Sequence, residues 1–241
     1  MTSLQKVNEA GDFGEIGELT REVPRRDRPR NVRANKADAG GVDAKRVMDV
    51  VGAVLALVFF APAMLIIYVL LFFSGGSPIF AHRRLGKNGA LFHCYKFRSM
   101  AKNGNAVLAE YLSRNPAAQE EWNRSFKLAN DPRVTRFGTF LRQTSLDELP
   151  QLFNVLTGDM SLVGPRPIVP GEVERYADKI EAYYCCKPGI TGLWQVSGRS
   201  LVAYDRRVRM DAVYASRQSV RLDLLILLRT VWVVFKGRGA C

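Results

Sequence analysis

The sequence has little cysteine and less histidine, four Cys and two His in 241 residues. Cys94, Cys185, Cys186 and Cys241 show no metal-ligand spacing, and neighbours such as Cys185 and Cys186 rarely bridge each other. They read as reduced thiols of a cytosolic compartment. His82, His93 and Cys94 match no metal motif and read as unrelated residues on a strand and loop. Eleven prolines and 20 glycines exclude a collagen-like or low-complexity chain, and 47% hydrophobic residues exclude disorder throughout. At about 100–200 residues per domain the length allows one domain with appendages, or two. The net charge of +12 brings no nucleic-acid-binding motif with it.

The most informative absence is of charge itself. No charged residue stands between Asp49 and Arg83, a gap of 33 positions. Residues 83–102 then carry six basic residues and no acidic one; residues 103–198 carry ten and eleven; residues 199–241 carry nine and three. The positive excess therefore sits in two blocks around a near-neutral middle. Within the gap, Val50–Phe73 is a run of 24 residues interrupted only by Gly52, Pro62 and Tyr68. More than about 18 such residues read as a membrane segment. An anionic membrane is thus a better partner for the basic blocks than nucleic acid. The run is not a secretory signal, since it starts near residue 47 and no small-residue cleavage site follows.

Basic residues flank the run on both sides: Lys45 and Arg46 before it, Arg83, Arg84 and Lys87 after it. Pro62 lies near its middle. Two readings are open, a helix broken at Ala61-Pro62 that re-enters the face it left, or a kinked spanning helix. The two-sided basic flank favours re-entry. Residues 1–43 predict a disordered tail, whose stretch Arg21–Lys36 either lies on lipid headgroups or is simply solvated. Residues 44–74 predict the membrane helix. Residues 75–200 predict the folded cytoplasmic body, opening with a β-hairpin over Ile79–Met100 around Asn88-Gly89. Helical character over 104–128 breaks near Pro116, and Val173, Tyr176, Ile180 and Tyr183 share one face of a further helix. Residues 201–241 predict basic amphipathic helices. Leu222–Phe235, too short to span, either lies at the interface or is buried against the body.

The densest polar constellation is Arg133–Arg166. In it, Asp147-Glu148 has two compatible readings. Asp147 suits a helix N-cap ahead of Pro150, and Ser145 with Glu148 has capping-box spacing. A carboxylate pair among arginines also suits phosphate and Mg²⁺ chemistry, one carboxylate attacking phosphorus and the other holding metal. Arg166, fixed between Pro165 and Pro167, presents a guanidinium suited to phosphate. Lys96 and Arg98, two residues apart on a strand, form either a basic floor for a diphosphate or a contact with headgroups.

These residues carry a resemblance. Lys45–Pro62, Tyr95–Met100, Asp131–Arg133, Leu141-Arg142 with Thr144–Leu152, Gly158–Pro167 and Lys187–Gly192 followed by Trp194-Gln195 resemble, in order, the bacterial sugar transferases. These are monotopic polyprenyl-phosphate hexose-1-phosphate transferases, and the likeness, over residues 44–241, is to the short exopolysaccharide-initiating members. It implies an α+β fold: a re-entrant N-terminal helix, a small β-hairpin and a helical catalytic domain with interfacial helices. It implies transfer of hexose-1-phosphate, galactose or glucose, from a UDP-hexose to undecaprenyl phosphate at the cytoplasmic face of the bacterial inner membrane. Asp147 would be the nucleophile of a covalent phosphosugar intermediate and Glu148 the Mg²⁺ ligand. Arg142 and Arg166 would bind phosphate or nucleotide, Lys96 and Arg98 would support the diphosphate, and Gln195 and Asp205 would contact substrate. The resemblance leaves open the oligomeric state, a homo-oligomer included. Two rivals stand beside it: the same transfer through a ternary complex, and a non-catalytic membrane-anchored assembly protein.

Overall fold

The computed structural model describes residues 43–125, 128 and 130–236. The tail expected over residues 1–43, with its basic stretch Arg21–Lys36, lies outside them save for Asp43. Residues 237–241, including Cys241, lie outside them as well. The chain runs α1 (Ala44–Phe73), β1 (Ile79–Leu85), β2 (Leu91–Phe97), α2 (Gly104–Arg114), α3 (Pro116–Ser125) and α4 (Arg136–Thr144). A 3₁₀ turn at Leu146–Glu148 leads to α5 (Gln151–Thr157), β3 (Ser161–Val163), α6 (Val173–Tyr176) and α7 (Ile180–Tyr184). β4 (Gly189–Thr191), α8 (Leu193–Val196), α9 (Tyr204–Arg217) and α10 (Val220–Lys236) complete it. Among the described residues the architecture is α+β and mostly helical, with two small two-stranded sheets.

Asp43 caps α1, its side chain accepting from the Lys45 amide at 3.0 Å. The helix then fastens to the body by charge. Lys45 Nζ donates to Asp223 of α10 at 2.6 Å and to the Val163 carbonyl at 3.1 Å. Arg46 donates to the Val155 and Leu156 carbonyls at the end of α5. Asp49, buried, accepts from Ser161 Oγ and the Leu162 amide. These flanking charges hold the protein body, so their side chains are not simple markers of a headgroup layer. Further along, Ala53, Ala56 and Leu57 pack on one core cluster, and Met64, Ile67 and Leu71 pack on another with Phe97 and Leu141. One stripe of α1 thus packs on the body both before and after Pro62.

The other stripe is bare. Leu55, Val58, Phe59, Leu65, Ile66 and Phe73 are all exposed, Phe73 by 82%. The most apolar stretch of α1 has a mean hydropathy of 2.8 and is only 11% buried. Covering each large apolar side chain is worth about 1.5–3 kcal/mol, so this face requires an apolar environment. The break expected at Ala61-Pro62 is not made: the helix continues through Pro62 as one element. Proline there removes the N–H that the Val58 carbonyl would accept. Packing on both sides of it holds the helix together.

The hairpin forms as expected. β1 and β2 pair antiparallel from Ile79↔Phe97 to Leu85↔Leu91, and Asn88 and Gly89 both take positive φ in the connection. The register puts Phe80, His82 and Arg84 on the same face as Lys96, Cys94 and Phe92. α2 and α3 separate at Pro116, also as expected. The helix expected over Val173–Tyr183 is instead two short helices joined by a 3₁₀ turn, broken where Ala177 takes φ 47°. Tyr176 donates to Asp211 and Tyr183 to the Leu85 carbonyl, and these two buried anchors outweigh the helical preference between them. The four apolar residues still meet in one cluster with Leu85, Ile168 and Val208. In α10 the burial reading holds for one side of the helix, and the other side is exposed. Leu222, Asp223 and Ile226 are buried, while Val220, Leu224, Leu228, Val231 and Trp232 form an exposed stripe.

Candidate active site

Two close backbone approaches set the site. α4 rests on the chain leaving β2, where a Cβ on Gly138 would stand 1.9 Å from the Ser99 carbonyl oxygen. Only glycine fits there, and the contact brings Arg142 Nε to donate to Ser99 Oγ at 2.9 Å. β3 and β4 pair in parallel, Ser161↔Gly189 and Val163↔Thr191. A Cβ on Gly189 would meet the Gly164 nitrogen at 2.0 Å. This pairing delivers Pro165-Arg166-Pro167 to the same side as β2.

Between α4 and α5 the chain turns sharply. Ser145 takes the left-handed conformation at φ 59°, and Leu146–Glu148 form the 3₁₀ turn. Neither Ser145 nor Asp147 makes a side-chain cap at a helix start: Ser145 closes the end of α4 through its amide, and α5 starts behind Pro150 without a side-chain cap bond. The capping reading is therefore corrected. Asp147 is buried without a cap to make, which is unusual for a carboxylate and leaves it available for chemistry.

Lys96 reaches the turn from β2. Its ammonium donates to Glu148 Oε1 at 2.6 Å and stands 3.9 Å from Asp147 Oδ2. Arg166 approaches the same Glu148 oxygen at 3.5 Å. The two carboxylates are thereby driven apart. Burial pushes Asp147 up to about 6, with Glu148 adding to the rise while Lys96 and Arg142 oppose it. Burial also acts against the Glu148 charge, but Lys96 and Arg166 outweigh it and pull this group down to about 2. Neighbouring acids of such different proton affinity are suited to different roles.

The site residues anticipated from sequence fall into three groups. Lys96, Asp147, Glu148 and Arg166 converge, and Arg142 stands near enough to act on Asp147 electrostatically. Arg98 does not join them. Its guanidinium bonds the Leu71 carbonyl at 3.0 Å, Ser74 Oγ at 2.7 Å and the Gly75 carbonyl, closing the end of α1. It lies past the end of β2 and so leaves the alternation that would have kept it beside Lys96. Gln195 donates to the Ile190 carbonyl at 3.0 Å, and its Oε1 is buried without a partner among the described residues. Asp205 is exposed in the first turn of α9, and Ala61 and Pro62 are exposed on α1.

Two arginines escaped the reading from sequence. Arg84 lines one cleft with Lys96, Glu148 and Arg166. The hairpin register centred on Asn88 would have placed it on the Lys96 face. Arg199 takes a positive φ of 50°, has a buried Nη1 without a partner among the described residues, and is held in the field of Glu148. No local pattern signals it. On the other side of the hairpin an open apolar cavity of about 450 Å³ is lined by Met64, Leu65, Tyr68, Phe97, Pro150 and Phe153 among others.

Among the described residues no three or more His, Cys, Asp or Glu gather to hold a metal by themselves. Asp147 and Glu148 offer two adjacent carboxylates. This fits Mg²⁺, which commonly takes one or two carboxylates and completes its shell with substrate phosphates.

Residues 41–237 match the family described as "Bacterial sugar transferase". The undecaprenyl-phosphate galactose phosphotransferase of Salmonella typhimurium is 52% identical over 196 residues, 81% of this chain and 41% of that protein. The UDP-galactose-lipid carrier transferase of Erwinia amylovora is 50% identical over the same share of each. The exopolysaccharide production protein ExoY of Sinorhizobium fredii is 49% identical over 202 residues, 83% of this chain and 89% of that protein. The chain thus spans about two fifths of the two galactose transferases and most of ExoY. The chain belongs to the bacterial sugar transferase family.

Proposed function

We propose that this protein transfers hexose-1-phosphate from a UDP-hexose to undecaprenyl phosphate through a covalent intermediate on Asp147. The observation that carries this reading is the pair of adjacent carboxylates with opposite shifts, Asp147 raised and Glu148 lowered, beside Lys96 and Arg166. Asp147 Oδ attacks the β-phosphorus of the UDP-hexose. The bond from that phosphorus to the bridging oxygen breaks, and UMP departs with the electron pair. A phosphate oxygen of undecaprenyl phosphate then attacks the same phosphorus, and the Asp147 carboxylate leaves. A buried carboxylate of raised proton affinity is a stronger nucleophile than an exposed one. Lys96 stabilises charge on the phosphoryl oxygens, and Glu148, held ionised, orients Lys96 and Arg166. Bound Mg²⁺ would neutralise diphosphate charge, with Glu148 as its protein ligand.

The lipid substrate gives the surface its logic. The bare stripe of α1, the exposed stripe of α10 and the apolar cavity beside Pro150 form surfaces suited to a bilayer and a polyprenyl chain. Contact of α1 with the body on both sides of Pro62 supports insertion from one side, because a span would carry half of the helix away from that body. We place the body on the cytoplasmic side of the inner membrane, where UDP-sugars are made. Galactose is the hexose we favour, since two of the similar proteins are named for it. Assay of UMP release from a panel of UDP-hexoses, with undecaprenyl phosphate in nanodiscs, tests the reading. UDP-galactose should give the fastest release. No release from any UDP-hexose would favour a non-catalytic assembly role.

A further inference from the structure

Arg84 lines the same cleft as Lys96, Glu148 and Arg166, but its surroundings differ from theirs. Lys96 and Arg166 both face the Glu148 carboxylate. Arg84 is mostly buried, its side chain 24% exposed. Of its five N–H donors, one bonds the Pro167 carbonyl, at a long 3.3 Å. Its carboxylate neighbour, Glu172, is 3.8 Å away, beyond hydrogen-bonding distance. Arg166 stands close enough to repel it. Glu172 is itself engaged elsewhere, accepting from the Val169 amide at 3.0 Å and from Tyr204 at 3.4 Å. Two guanidiniums lining one cleft, most of whose donors have no hydrogen-bond partner among the described residues, are a receptor for a doubly charged oxyanion.

We infer that Arg84 and Arg166 clamp the phosphate that leaves with the nucleoside, which makes Arg84 a substrate-positioning residue for the departing UMP. The inference rests on the transfer reaction proposed above. The position along the hairpin decides which phosphate is held. Lys96 pairs with Phe80, and Arg84 lies four residues further along β1, about 13 Å of strand. The long side chains of both residues converge on one cleft. The phosphate attacked must touch Asp147 beside Lys96, so Arg84, which comes from further along β1 and lies in the field of Arg166, meets its neighbour. Charge builds on that neighbour as the bridging bond breaks, and the clamp is already in place to receive it.

The test is competitive inhibition by UMP against UDP-hexose, with the full chain in nanodiscs, for Arg84→Gln, Arg84→Lys and Glu172→Gln. Each variant is checked for an unchanged melting curve. Arg84→Gln should weaken UMP about tenfold or more while the KM for undecaprenyl phosphate stays within about twofold. Arg84→Lys should recover part of the loss, keeping charge without the fork. Glu172→Gln, which removes the rival anion yet keeps an oxygen for Val169, should leave UMP binding unchanged or tighter. The inference is overturned if UMP inhibits Arg84→Gln as it does the parent. It is equally overturned if Glu172→Gln weakens UMP as much as Arg84→Gln does, since Arg84 would then be only a tie to the loop. Calorimetric binding of UMP keeps the clamp testable apart from the reaction. If the parent binds UMP but turns over no UDP-hexose, the transfer reading fails while the clamp stands.

Discussion

Lys96 and Arg98 are two residues apart, carry the same charge, and do different work. Lys96 holds the carboxylates; Arg98 closes the end of α1. Lys96→Met should therefore lower kcat/KM by about 100-fold with little change in melting temperature. Arg98→Met should lower the melting temperature by a few degrees and leave activity per folded molecule within a few-fold. Measuring both quantities for both variants separates the roles. From sequence the two looked equivalent, because charge and spacing are visible there and the end of a strand is not. Asp147, Glu148 and Arg166 were legible because acid, acid and a proline-locked arginine are unusual company. Arg199 was not, because its place depends on a backbone twist that no local pattern announces. Asp211 was also invisible as a special group. It is fully buried and accepts from Tyr176, and burial raises it to about 8 against the pull of Tyr176 and Arg207. Its folded value lies above its unfolded value of 3.8. The folded state thus binds the extra proton, and the stability this group contributes is complete below about pH 4 and lost as pH rises towards 8. Asp211→Asn keeps the acceptor for Tyr176 without the charge. Its melting temperature should fall less between pH 5 and pH 8 than the parent's; parallel falls would show that Asp211 is not the titrating group.

At the scale of elements, the hairpin and the separation of α2 from α3 were readable because Asn88-Gly89 and Pro116 act locally. The break in the helix after Val173 and the continuity of α1 through Pro62 were not, because distant packing decides both. Tyr176 and Tyr183 are each held by partners outside their own segment, and α1 is held by contacts on both sides of its proline. The contact of α4 with Ser99 is another long-range choice, and it is the least forgiving. Gly138→Ala places a methyl group 1.9 Å from a backbone oxygen, which a rotamer change cannot relieve. We expect a loss of about 2 kcal/mol or more in stability. Activity should fall further than the folded fraction does, since Arg142 and Ser99 part. Chemical unfolding and specific activity of the same preparation check this. Wild-type stability in Gly138→Ala would mean that the two segments are not in contact.

The whole molecule explains its own composition. The +12 charge is divided among separate tasks: Lys45 and Arg46 grip the body, Lys96 and Arg166 face the carboxylates, and Arg98 closes a helix. The apolar surplus is left outside, on α1 and on the stripe of α10 that ends at Trp232. If those stripes face lipid, Leu228→Glu with Trp232→Glu should weaken flotation with anionic vesicles by about tenfold or more while leaving the melting curve near that of the parent, because both residues are exposed. Unchanged flotation would assign α10 to solvent. The central claim concerns Asp147. Full-length protein incubated with UDP-hexose and Mg²⁺, without lipid acceptor, is digested and analysed by mass spectrometry. The account predicts a hexose-phosphate adduct on the peptide carrying Asp147, matched by stoichiometric UMP, absent in Asp147→Asn and discharged by undecaprenyl phosphate. UMP release that requires both substrates, with no adduct at any time, would contradict it and establish direct transfer in a ternary complex.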